Sequence, residues 1–75
     1  MREIENAIAI KKILMAEIAL WIHDKNMKQA EAATILQISR PRVSDVVNLK
    51  VGKFTIDFLV TMLNRIGKPV SVSIG

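Results

Sequence analysis

The sequence has no cysteine and no tyrosine, and it carries one histidine, one tryptophan and two phenylalanines. Without cysteine there is no disulfide, no thiolate nucleophile and no cysteine-ligated zinc, which fits a reducing compartment. His23 has no second histidine with which to share a metal, Ser44 has no base partner, and no glycine-rich phosphate loop is present. These gaps argue against an enzyme, and neither a cofactor nor a metal is expected. So few aromatic rings leave little on which single-stranded bases can stack. A membrane-length run is missing too: the apolar stretch ILMAEIALWI is broken by Glu17 and is about half of the roughly 20 residues a bilayer span needs. Glu3 and Glu5 do not suit a signal peptide, so the chain reads as soluble and cytoplasmic.

What remains is an aliphatic, basic chain. Hydrophobic residues make up 51% of the 75 positions, and 11 Lys plus Arg against 7 Asp plus Glu leave a net charge of +4. A basic balance suits a polyanionic partner. The length allows one domain, residues 1–75, whose private core is marginal, so a second copy is expected to help.

The first helix is expected from about Asn6 to His23, with Ala7, Ile8, Leu14, Met15, Ile18, Trp21 and Ile22 in one arc. Ile13 and Leu20 lie opposite, beside Ala9 and Ala16, and form a second apolar stripe suited to a partner subunit. Asn26 can take the left-handed conformation that ends this helix. A short second helix spans about Lys28 to Leu36, with Ala32, Ala33 and Leu36 inward and the alanines allowing close crossing. Ser39 then suits an N-cap. Pro41 follows in the first turn, where a missing N–H is harmless, so it starts the third helix and does not break it. Val43, Val46, Val47 and Leu49 are expected to face inward along that helix. Thr55 caps a fourth helix, with Phe54 and Leu59 at staple spacing and Ile56, Val60, Leu63 and Ile66 adding to its inner face. Gly67 and Pro69 end it. The tail VSVSI alternates in period two and is expected to form a strand over 70–74, paired with its own copy.

Two short helices joined by a tight turn, residues 28–48, have the spacing of a helix-turn-helix, whose second helix enters the DNA major groove. Its outward end carries Arg40, Arg42, Ser44 and Asp45, the candidates for base readout. Arginine binds guanine O6 and N7 in a bidentate manner, worth roughly 1–3 kcal/mol of discrimination. Asp45 can accept from cytosine N4 or orient Arg42 across the helix surface. Phosphate contacts are expected from Lys28, Gln29, Ser39, Lys50 and Lys53. Both arginines are expected to be exposed, so replacing either should abolish specific binding with little loss of fold. Ile13, Leu20, Val70, Val72 and Ile74 are the expected homodimer contacts.

The stretch MKQAEAATILQISRPRVSDVVNLKVGKFTIDFLVTMLNRIGKPVSVSI resembles the Xre-type, lambda-repressor-like helix-turn-helix proteins, in particular their compact HigA-like antitoxin branch. QAEAA, PRVSD and FTIDFL carry the resemblance, which extends over Lys12 to Ile74. It implies a five-element α-helical DNA-binding domain; together with the tail strand read from alternation, the expected fold is an all-α, compact four- to five-helix domain with a short C-terminal β-strand. It also implies a dimer that represses its own promoter and often neutralises an adjacent toxin. Gln29 matches the family's phosphate-contacting glutamine. Lys28 stands where the pattern has a capping threonine, Gln37 where it has the turn glycine, and Arg40 where it has a glutamine. The last exchange shifts the expected base from adenine toward guanine. The rival reading is a helical protein-interaction module for which DNA is irrelevant. A membrane-surface helix is disfavoured by Glu5, Glu17 and Asp24.

Overall fold

A computed structural model describes the backbone over residues 2–74 and the side chains over residues 6–74. Four α-helices follow one another: α1 (Arg2–Asp24), α2 (Gln29–Leu36), α3 (Arg40–Val47) and α4 (Ile56–Arg65), with a 3-10 turn at Val51–Lys53 between α3 and α4. Long α1 is the spine, and α3 and α4 both pack on it.

The core draws on every helix. Met15, Ile18, Leu36, Val43, Val46, Leu59 and Met62 are fully buried, with Leu14, Trp21, Ile22, Ala32, Ala33, Phe54 and Leu63 around them. At roughly 25 cal/mol per Å² of apolar surface removed from water, these side chains supply most of the folding drive. Ala32 and Ala33 are buried on the inner face of α2, as expected. Thr55 caps α4 by accepting from the Phe58 amide at 3.1 Å.

All four helices end in one way. A left-handed residue follows each, and the next amide bonds back to the carbonyl five residues earlier: Met27 to Ile22, Ile38 to Ala33, Lys50 to Asp45 and Lys68 to Leu63, at 2.9–3.1 Å. This double-bonded stop satisfies carbonyls that the helix leaves orphaned. The left-handed residues are Asn26, Gln37, Leu49 and Gly67, with φ of 50°, 60°, 54° and 73°. Asn26 and Gly67 tolerate that geometry well. Gln37 and Leu49 are strained there, on the order of 1–2 kcal/mol each.

Several expectations are corrected. α1 starts at Arg2, earlier than Asn6. Ile8 is exposed and Ala7 only half-buried, because the core begins further along. Leu49 points to solvent at 41% exposure, since the stop of α3 turns it away from the inner face. On α4 Met62 joins Leu59 and Leu63 in the core, while Ile56, Val60 and Ile66 are half-buried. Residues 70–74 form no strand: Val70 packs on the core, but Val72 and Ile74 are 78% and 94% exposed. A single strand has no neighbour within one chain to complete its ladder.

Candidate nucleic-acid interface

The second and third helices carry the candidate site residues that the sequence points to. Gln37 accepts the left-handed backbone at φ 60°, so the turn keeps its tight form without glycine. Arg65, reaching across from α4, donates to the Leu36 carbonyl at 2.9 Å and locks the end of α2. The sequence reading missed this tie because it joins residues 29 apart.

Pro41 is the second residue of α3, inside the first turn as expected. The Ser39 carbonyl accepts from the Arg42 and Val43 amides, both at 3.1 Å, and opens the helix. The Ser39 hydroxyl makes no capping bond, contrary to expectation. Ser39 is left exposed at the helix start. Lys28 occupies the cap position of α2, likewise without a side-chain cap, and Gln29 is the exposed first residue of that helix.

Successive residues are about 100° apart on a helix, so α3 sorts its polar side chains by angle. Val43 and Val46 go inward. Arg40, Pro41 and Asn48 are exposed, with Ser44 half-buried between them. The Asn48 amide donates to the Ser44 carbonyl at 2.9 Å and to its hydroxyl at 3.3 Å, which holds both side chains in place. Asn48 is not among the candidates that the sequence offered for base readout. Its place one turn beyond Ser44 was the available signal.

Arg42 is not the free arm that was expected. It is half-buried, its guanidinium lies 4.4 Å from the Phe54 ring centre and 5.2 Å from that of Phe58, and it donates to the Lys53 carbonyl at 3.2 Å. The two rings stack on each other at 5.9 Å. Planar guanidinium stacks well on aromatic faces, so Arg42 ties α3 to the loop before α4.

Asp45 also departs from expectation. It does not orient Arg42; its carboxylate pairs with Lys50 and Lys53, each at 3.7 Å, and its side chain is 15% exposed. An acceptor turned toward two lysines is not presented outward to a cytosine. The pairing instead gathers the lysines on the rim of α3, where both remain more than half exposed. Of the expected dimer contacts, Ile13 and Leu20 are exposed at 64% and 50%, whereas Val70 is half-buried within its own chain.

The whole chain, residues 1–75, matches the family model of a helix-turn-helix domain. The chain belongs to the helix-turn-helix domain family. No curated protein and no solved structure matches it significantly. Membership agrees with the pair α2 and α3 and with an all-helical fold of the described residues. No described helix is long and apolar enough to cross a membrane, and no cluster of three or more His, Asp or Glu among the described residues could hold a metal.

Proposed function

We propose that this protein is a sequence-specific transcriptional regulator, a repressor, that lays α3 in the major groove of double-stranded DNA. The observation that carries this reading is the outward face of α3. Arg40 and Asn48 are exposed there with half-buried Ser44 between them, and exposed Lys50 and Lys53 stand on its rim. Arg40 reads guanine, Asn48 suits adenine, and Ser44 serves either. Lys28, Gln29, Ser39, Lys50 and Lys53 contact phosphate and fix the register. Arg42 acts as a positioning residue that sets the angle of α3 against the loop carrying Lys53. The chain works in the cytoplasm as a homodimer, with the outward stripe of α1 and the tail residues Val72 and Ile74 available to a second copy. The HigA-like pattern supports an additional role as an antitoxin that neutralises a toxin encoded beside it.

Selection of bound sequences from a random duplex pool tests the reading. The expected result is an enriched motif with half-sites about one helical turn apart. Retardation of that duplex in a gel should weaken steeply as salt rises. No enriched motif, or binding insensitive to Arg40→Ala, would reject it. The exposed apolar stripe of α1 favours one second reading, a protein-interaction module. That reading expects Arg40→Ala to be silent.

A further inference from the structure

The fold leaves one face of α1 unused. No side chain from Asn6 to Ile13 is buried, and Leu14 is the first to enter the core. The amino-terminal half of α1 therefore runs past the core. A helix of 23 residues is roughly 34 Å long, which accounts for the 36 Å long axis of the molecule. The protein exposes 5297 Å², whereas a compact monomer of its mass exposes roughly 4600 Å². The excess, about 700 Å², is near the roughly 800 Å² that each partner contributes to an ordinary interface.

Opposite the core, Asn6, Ala9, Ile13, Ala16, Leu20 and His23 follow one another in alternating steps of three and four, and all six are exposed. That is the period of a two-helix seam. Alanine alternates with a large aliphatic residue along it, and a polar residue closes each end. One register suits two such stripes. In an antiparallel pair about a two-fold axis between Leu14 and Met15, Ile13 faces the partner's Ala16 and Leu20 faces the partner's Ala9. Asn6 then faces the partner's His23. Large meets small in every apolar layer and polar meets polar at the ends. A parallel pair would set Ile13 on its own copy and leave voids where alanine met alanine.

The flank of the stripe has a matching hollow. Ala16, Ala19, Leu20 and His23 of α1, with Val47 and Leu49 at the end of α3, line an apolar groove of about 410 Å³. In the antiparallel register the partner's arm from Asn6 to Ile13 lies along this groove. Leu49, strained and turned to solvent within one chain, then gains a contact that a glycine at the same stop could not make.

We propose that the outward face of α1 is a self-complementary antiparallel seam for a second copy of this chain, with Leu20 seated on the partner's Ala9. This deepens the dimeric reading above by naming its register, and it does not require DNA. Because the groove ends on Val47 and Leu49, the seam also sets how the two copies of α3 lie relative to one another.

The absence of native cysteine makes engineered thiols unambiguous. Under mild oxidation the double variant A9C/L20C should run as a covalent dimer on a non-reducing gel. Its two thiols lie about 16 Å apart along one helix, too far to bridge within a chain. A9C alone should remain uncrosslinked. Failure of A9C/L20C to crosslink, or efficient crosslinking through A9C alone as a parallel pair demands, would overturn the register. By light scattering the unaltered protein should be a dimer and Leu20→Glu a monomer of unchanged helical content. A monomeric unaltered protein, or a dimeric Leu20→Glu, would overturn the seam. Loss of the dimer in V72S/I74S alone would assign the interface to the tail and overturn it as well. None of these measurements reads DNA, so a failed regulator reading would leave their outcome intact.

Discussion

Arg40 and Arg42 stand on either side of Pro41 and have opposite surroundings. Arg40 is exposed at the first turn of α3, while Arg42 is half-buried and drawn over Phe54 and Phe58. Two steps along a helix rotate a side chain by about 200°. One arginine therefore faces solvent and the other faces the loop before α4. The chemistry of the two groups is identical, so angular position against the rest of the fold separates a reader from a strut.

Breaking the strut should have the largest effect. Arg42→Ala removes a stacked cation and a charge-assisted hydrogen bond, together about 2 kcal/mol. Thermal unfolding followed by circular dichroism should show a midpoint lower by roughly 10 °C. Arg42→Lys keeps the charge but not the planar stack, and should recover less than half of that loss. Arg40→Ala should do the reverse: specific DNA affinity falls roughly 10- to 100-fold in gel retardation, while stability stays within about 0.5 kcal/mol. Equal effects of the two alanine variants on the unfolding midpoint would erase the distinction.

Smaller effects sharpen the same contrast. Gln37→Gly relieves a left-handed strain without touching either arginine. It should stabilise the fold by about 0.5–1 kcal/mol in urea denaturation and leave DNA affinity nearly unchanged. Asp45→Asn removes the shared partner of Lys50 and Lys53. For ion pairs with exposed lysines the stability change should stay within about 1 kcal/mol. Freed lysines should tighten nonspecific binding, and the salt slope should steepen by about 0.9 for each further phosphate neutralised. An unchanged or weaker nonspecific affinity would mean that Asp45 presents the lysines to phosphate and does not restrain them.

Much of the fold was legible along the chain because local rules decide it. The Thr55 cap, the place of Pro41 within its helix and the left-handed Asn26 depend on a few neighbouring residues. Apolar spacing likewise located most of the core, since burial follows helical period. Period two in the tail was misleading: alternation describes how a strand would bury one face but supplies no neighbouring strand, and residues 70–74 have none within one chain. Leu49 was misplaced for a related reason, as spacing assumes that the helix continues while its left-handed turn ends it.

On the candidate site, the residue types and their gathering near the start of α3 came from sequence, but their partners did not. Arg42 on the Lys53 carbonyl and Arg65 on the Leu36 carbonyl join segments 11 and 29 residues apart, distances that no local pattern encodes. Asp45 chose Lys50 and Lys53 over Arg42 because the stop of α3 folds the following loop back beside it. Composition and periodicity by themselves determined a basic chain of four helices with a helix-turn-helix, because hydrogen-bonding and burial patterns repeat within each helix. Tertiary structure alone decided which polar side chains remain free, because each depends on what another part of the chain brings against it.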